Sequence, residues 1–336
     1  MMDTEAVIAE FQDRQMAKKA ESTATGYTNT VKKWTEWLAN PGVKDYDVNR
    51  RDRDTKTIYD ATTGDLRVFL RQQLKAGMAD GTVRNRRWAI TSFYKELEKI
   101  AGEGYDLPNF ESPAKDLDMS DWFDSNGTSK KAEKLKEDIY YLEPEEIDQL
   151  AENAPNPKLR NELIIRLLYQ TGMRRGELSE TRLTDVYSDE RKIKVYASKT
   201  DDERNVYYQP SLDTLMNRWI NVERKALSTA GSEYLFPTYK TEQIKPKQIN
   251  RTVRKAADNA GIQESVYTNA EGKEQMKVTA HVLRHSFAVQ SVKNDMNIRF
   301  LQELMGHAKI ETTRRYLRVA DSDVKDAARK YGAGTE

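Results

Sequence analysis

The chain has 336 residues, more than one average domain needs, so two domains joined by a linker are expected, each large enough for its own core. Its 55 lysines and arginines are matched by 54 acids, so no overall field marks a nucleic-acid binder and any basic surface has to be local. The absence of cysteine excludes disulfides and thiolate metal sites, and suits a reducing compartment.

The N-terminal run MMDTEAVIAEFQDRQMAKKAES lacks the apolar core of a signal peptide. No later run approaches the ~18 apolar residues of a membrane span, so a soluble, cytoplasmic protein is expected. From residue 22 to 40, Tyr27, Val31, Trp34 and Leu38 recur at steps of three and four, which predicts an amphipathic helix with Thr23 or Thr25 as its N-cap. Asn40, Pro41 and Gly42 end it. A second helix is predicted over 63–76, where Leu66, Phe69, Leu70 and Leu74 share a face before Gly77. A third covers 81–100, carrying Val83, Trp88, Ile90, Phe93, Tyr94 and Leu97 and stopping at Gly102 and Gly104. Residues 1–107 therefore read as a small helical domain.

Between 108 and 138 the pattern dissolves into prolines, Ser-Asn-Gly and alternating charge, which is linker composition. Residues 139–336 form the second region. It opens on Glu-Pro-Glu-Glu, a helix N-terminus, and stays mostly helical. One interruption, 192–210, alternates around a polar turn and predicts a β-hairpin or small sheet. The fold class expected is mainly α, with a small β-sheet in the C-terminal domain.

Four segments of this second region hold the unusual residues. In TGMRRGEL, Gly172 ends one helix and Glu177 opens the next, placing Arg174 at a tight corner. In SKTDDER, Lys199 approaches the hairpin turn, with Lys192 and Lys194 as alternatives earlier on the strand. In HVLRHSFA, His281 and Arg284 stand one helical turn apart, opposite Val282, Leu283, Phe287 and Ala288. In LMGHAKIETTRRYLRV, Gly306 ends a helix, His307 lies in the break and Tyr316 follows on the next helix. All three histidines of the chain, His281, His285 and His307, fall in the last two segments. Taken alone, the TGMRRGEL corner is more often a solvated turn, a lysine at a β-turn is surface decoration by default, and three histidines are too few for their clustering to decide.

Together they suggest phosphate chemistry. Two guanidiniums offer paired donors to the non-bridging oxygens of a phosphate and to the charge of a pentacoordinate transition state. A tyrosine supplies the nucleophile; being protonated near neutrality, it needs a proton acceptor and a positive surrounding, which His281 and the arginines can supply. A lysine among other cations is acidic enough to protonate a departing oxygen. No carboxylate cluster has metal-ligand spacing, so a metal-independent reaction without cofactor is expected.

In order and spacing, the four segments resemble the phage-integrase, or tyrosine recombinase, family, whose catalytic domain carries a TGxRxxEL turn, a hairpin lysine, an HxxR helix and a GH followed by a tyrosine. The resemblance covers roughly residues 142–331, with the N-terminal helices similar in pattern only to the family's core-binding domain. It implies a two-lobed DNA-breaking-rejoining fold in which Arg174 and Arg284 clamp the phosphate. Lys199 would be general acid, His281 general base, His307 a phosphate ligand, Tyr316 the nucleophile and Glu177 a structural acid. Tyr331, the nearest other tyrosine, lies more than four helical turns further on and does not fit.

The resemblance further implies double-stranded DNA as partner, a homo-tetramer with two protomers per site, and a tail around Val324, Ala327 and Ala328 that docks on a neighbouring subunit. Accessory DNA-bending proteins are conceivable partners. Local basic runs fit a DNA contact: Arg84, Arg86 and Arg87 on the third helix, and Lys245, Lys247, Arg251, Arg254 and Lys255 in KPKQINRTVRKAA. The same residues also suit solvated helix faces. Two other readings stay open: a related breaking-and-rejoining enzyme, such as a type IB topoisomerase or telomere resolvase, and a non-catalytic DNA-binding protein of the same fold.

Overall fold

The computed structural model describes residues 3–39, 55–119, 122, 139–197, 202–268 and 274–320. The chain forms two compact units, one of residues 1–135 and 268–274, the other of residues 136–267 and 275–336.

The first unit is helical. Helix α1 (Thr4–Met16) starts at Asp3, whose carboxylate accepts the Ala6 N–H at 2.7 Å, and buries Val7, Ile8 and Phe11. No element is predicted for this stretch from the sequence. Helices α2 (Glu21–Ala39), α3 (Thr63–Lys75) and α4 (Asp80–Gly102) follow the predicted ranges closely. Their apolar stripes meet in one core around Val31, Trp34, Leu66, Phe69, Leu70, Ile90, Phe93 and Leu97. Trp37 joins it, its ring 5.4 Å from those of Trp34 and Phe69, while Tyr27 remains half-buried. Helix α3 begins in a capping box, with Thr62 and Asp65 bonding each other's backbone N–H. Ala114, Leu117 and Met119 are buried in this core, so the start of the segment that composition marks as linker is packed.

The second unit opens with α5 (Pro144–Glu152), α6 (Lys158–Thr171) and α7 (Arg175–Glu180). An antiparallel sheet follows in the order β1 (Val186–Tyr187), β2 (Lys192–Ala197), β3 (Asp202–Tyr207), with Ile193 opposite Val206 and Lys192 opposite Tyr207. Ile193, Val195 and Val206 turn inward, as the strand period of two requires. Then come α8 (Asp213–Arg218), α9 (Pro246–Asn259), the ribbon β4 (Ser265–Thr268) and β5 (Glu274–Met276), and the helices α10 (Ala280–Lys293), α11 (Ile298–Met305) and α12 (Ile310–Ala320).

Helix α10 is the centre of this unit. It packs on α6, α11 and α12 and buries Val282, Leu283, Arg284, Ser286, Ala288, Val289 and Ser291. Hydrogen bonds tie it to the two residues before α5: Ser286 Oγ accepts the Leu142 N–H at 2.8 Å, and Glu143 receives Gln290 and Lys293 at 2.6 and 2.7 Å. Among the described residues no helix is long and apolar enough to cross a membrane.

Candidate active site

Two left-handed glycines shape the site. Gly172 ends α6 at φ +62°, and Gly306 ends α11 at φ +59°. Both also stand where a side chain has no room: a Cβ on Gly172 would lie 2.3 Å from Phe287 Cδ1, and one on Gly306 would lie 2.9 Å from Arg204 Nη1. The predicted corner at Gly172 and break at Gly306 are thus real, and both face the start of α10.

Arg284 lies deepest, only 2% exposed. Its Nη1 donates to the Gly172 carbonyl at 2.6 Å; its Nη2 donates to the Met305 carbonyl at 2.6 Å and meets His307 Nε2 at 3.0 Å. Burial first, then the nearby Arg174, pulls its proton affinity down to about 9, which still leaves it charged near neutrality. Because a guanidinium only donates, His307 Nε2 accepts here, and Nδ1 carries the proton shared with Thr313 Oγ1 at 2.9 Å. Burial and the surrounding arginines hold His307 well below the usual imidazole range, at about 4.

Arg174 is exposed at the corner between α6 and α7. Its Nη1 donates to Glu177 Oε1 at 2.8 Å and its Nη2 to the Gly306 carbonyl at 3.2 Å. Glu177 also accepts the Arg174 backbone N–H at 2.7 Å, so the acid caps α7 as well as pairing with the base. A second arginine grips the same carboxylate. Arg204, on β3, donates to Glu177 Oε1 and Oε2 at 3.0 and 2.7 Å, and its Nε donates to the Leu304 carbonyl at 2.7 Å. Burial pushes the Glu177 pKa up, but the bonds from Arg204 and Arg174 outweigh it and leave the carboxyl below its ordinary range.

Tyr316, on α12, is 2% exposed. Its hydroxyl lies 2.9 Å from His285 Nδ1, and its ring stacks nearly parallel to His307 with centroids 6.5 Å apart. Burial raises the phenol's pKa, while Arg284, Arg315 and Arg174 draw it down. His281, an exposed residue of α10, meets the His285 ring edge-to-face at 4.2 Å. Its proton affinity is lowered, first by the protein packed around it and then by Arg284 and Arg315.

The structure therefore gathers Arg174, Glu177, His281, Arg284, His307 and Tyr316 in one place. Lys199 lies outside the described residues. The alternative lysines are engaged elsewhere: Lys192 pairs with Glu190 at 2.6 Å and Lys194 with Glu203 at 2.7 Å. Three residues were missed by the sequence reading. His285 follows His281 by four and so shares its face; Arg315 directly precedes the nucleophile candidate; Arg204 stands in the quoted SKTDDER segment, with nothing local to mark its partners.

The predicted basic surfaces fare unequally. Lys245, Lys247, Arg251 and Lys255 are exposed and Arg254 half-exposed along the polar face of α9, opposite buried Ile249, Val253, Ala256 and Ala257. On α4, Arg84 is exposed, but Arg86 is buried and donates to Gln73 Oε1 at 2.6 Å, and Arg87 donates to the Leu117 carbonyl at 2.8 Å. Arg86 belongs to the interior because its position continues the stripe of Val83, Ile90 and Phe93, and it is no surface contact. Among the described residues no group of three or more histidines, aspartates and glutamates is placed to hold a metal ion.

The fold is that of the tyrosine recombinases and integrases. It matches a XerH site-specific recombinase solved with its difH substrate over 98% of this chain and 95% of that one (TM-score 0.62, 17% identity). It also matches the Tn1549 transposon integrase, solved with transposon right-end DNA, over 97% and 99% (TM-score 0.60, 14% identity). The chain belongs to the phage integrase family, whose sequence model matches residues 140–323. Among curated relatives it is similar to the tyrosine recombinase XerA of Pyrococcus furiosus, 28% identical over 275 residues covering 76% of this chain and 89% of that protein. The tyrosine recombinase XerD of Oceanobacillus iheyensis is 26% identical over 288 residues, covering 84% and 86%.

Proposed function

We propose that this chain is a site-specific DNA recombinase that cuts and rejoins strands through a covalent 3′-phosphotyrosine on Tyr316. One observation carries the reading: a buried phenol whose hydroxyl meets an imidazole and whose charged neighbours are all arginines, with Arg284 and Arg174 held on backbone carbonyls. A scissile phosphate placed against those guanidiniums finds donors for its non-bridging oxygens and for the charge that develops in the transition state. The Tyr316 oxygen attacks phosphorus, the bond to the 5′ oxygen breaks, and that oxygen leaves protonated by Lys199. Attack by a 5′ hydroxyl from a partner strand reverses the sequence, so strands exchange without ATP.

Double-stranded DNA is the partner. Arg84 on the first unit, and Lys245, Lys247, Arg251, Arg254 and Lys255 on α9, supply phosphate contacts that orient it. Four protomers act together, two per site, in the cytoplasm.

The test uses duplexes selected by the protein from a random library, nicked near the selected site so that the cleaved fragment diffuses away. The expected result is a protein–DNA adduct that survives denaturation and is absent with Tyr316→Phe. An adduct that persists in that variant refutes the reading, as does an intact protein that binds the selected duplex and never forms one. Exchange between two labelled sites separates a recombinase from an enzyme that only relaxes supercoils.

A further inference from the structure

The family resemblance implies His281 as acceptor of the Tyr316 proton, yet the group touching the phenolic oxygen is His285. Its Nδ1 stands 2.9 Å from Tyr316 Oη, and no hydrogen bond joins His281 to that oxygen. We infer that His285 is a catalytic residue of this reaction, the acceptor of the Tyr316 proton in strand cleavage and its donor in rejoining. The inference rests on the function proposed above.

Donor and acceptor follow from chemistry. A phenol is a far stronger acid than the N–H of a neutral imidazole, so in a contact between the two the hydroxyl donates and Nδ1 accepts. The groups facing His285 are His281 and Arg284 on its own helix, His307 in the break after α11, and Arg315 and Tyr316 on α12. Burial, then His281 and Arg315, keep His285 neutral down to about 3, so the Nδ1 lone pair is free to accept at any ordinary pH. A bound phosphate changes this balance. Its negative charge offsets Arg284 and Arg315, and the imidazole's proton affinity rises only when DNA is present.

The step balances. As the bond from Tyr316 Oη to phosphorus forms, the phenolic proton passes to His285 Nδ1 and leaves an imidazolium. The bond from phosphorus to the 5′ oxygen breaks, and that oxygen takes its proton from the donor on the leaving side. In rejoining, the attacking 5′ hydroxyl returns its proton to that donor, and the His285 imidazolium reprotonates the departing phenolate. His281 touches the ring of His285 but makes no hydrogen bond to the phenolic oxygen, so it is not placed to receive the proton itself.

The test is single-turnover adduct formation on the nicked selected duplex by the full-length parent, His285→Asn and His281→Asn. Asparagine keeps a hydrogen-bonding group near the place of Nδ1 without its basicity. His285→Asn is expected to slow adduct formation by about 10²–10⁴-fold while binding the duplex as tightly as the parent. Each protein is then made with a fluorinated tyrosine of lower pKa at position 316, which needs an acceptor less. That change is expected to recover at least about tenfold of the rate in His285→Asn, and less in the parent and in His281→Asn.

An adduct rate in His285→Asn within about threefold of the parent overturns the inference. So does a slowed His285→Asn that the fluorinated tyrosine fails to recover, or recovery confined to His281→Asn. In each of these outcomes the parent still forms its adduct and Tyr316→Phe does not, so the proposed function survives.

Discussion

Arg204 offers the sharpest test of how the site is built. Its guanidinium and the Glu177 carboxylate are 8% and 7% exposed, joined by bonds of 2.7 and 3.0 Å, and the third Arg204 bond reaches the Leu304 carbonyl. Arg204→Met keeps most of the volume but leaves Glu177 buried with only Arg174, which is itself 45% exposed. Removing one partner of a buried ion pair costs about 3–5 kcal/mol, since the remaining charge has been taken out of water without compensation. For a unit of this size that is a fall in melting temperature of roughly 6–20 °C, read by thermal denaturation.

Acid gives the variant a signature. In the parent the Glu177 pKa is depressed, so its contribution is full above the ordinary carboxylate value and is lost as pH falls through the folded value. Without Arg204, burial prevails and the pKa is raised, so acidification relieves the variant by protonating Glu177. The stability gap between the two proteins should therefore narrow from pH 7 toward pH 4. Adding Glu177→Gln to Arg204→Met should recover part of the loss, a coupling of about 1–3 kcal/mol. Equal melting temperatures, or losses that simply add, would refute the claim that this pair frames the site.

Gly172→Ala should be among the most damaging small substitutions. A left-handed alanine and a Cβ 2.3 Å from Phe287 together predict a loss of about 2–5 kcal/mol, checked by chemical denaturation. On α9, exposed Arg251 should act as a plain phosphate contact. Arg251→Ala is expected to weaken binding alike on selected and random duplexes and to lower the salt slope of log K by about 1; a loss confined to the selected sequence would instead make it a base reader.

Much of the fold was legible because the signals are local. The stripes of α2, α3 and α4 and the alternation of β2 and β3 appear within a few residues of sequence, and the glycines at 172 and 306 mark helix ends directly. Helix α1 escaped because only Val7, Ile8, Phe11 and Gln15 define its buried face, among many charges. Arg86 was misread since composition cannot say which side of a helix an arginine takes, and Gln73, its partner, lies thirteen residues back on another helix. Arg204 was invisible for the same reason at longer range: Glu177 and Leu304 are 27 and 100 residues away. Helix α10 was expected to divide polar from apolar, but it is packed on nearly all sides, and Arg284 lies buried among the residues it was thought to oppose.

That burial explains why the site needs its two glycine breaks. A guanidinium taken out of water must find hydrogen-bond acceptors, and carboxylates would satisfy it at the expense of any anion it is meant to hold. Arg284 is given carbonyls instead, from Gly172 at the end of α6 and Met305 at the end of α11; Arg204 takes Leu304 and Arg174 takes Gly306 at that same end of α11. Helix C-termini carry partial negative charge and unsatisfied carbonyls, so they stabilise a buried cation without cancelling it. The left-handed turns at Gly172 and Gly306 stop both helices where those carbonyls face Arg284. Among the described residues, the carboxylate hydrogen-bonded to these arginines is that of Glu177, shared by Arg174 and Arg204, so the arginines keep a positive surplus beside Tyr316. On the function proposed above, a phosphodiester supplies the charge that the fold has withheld.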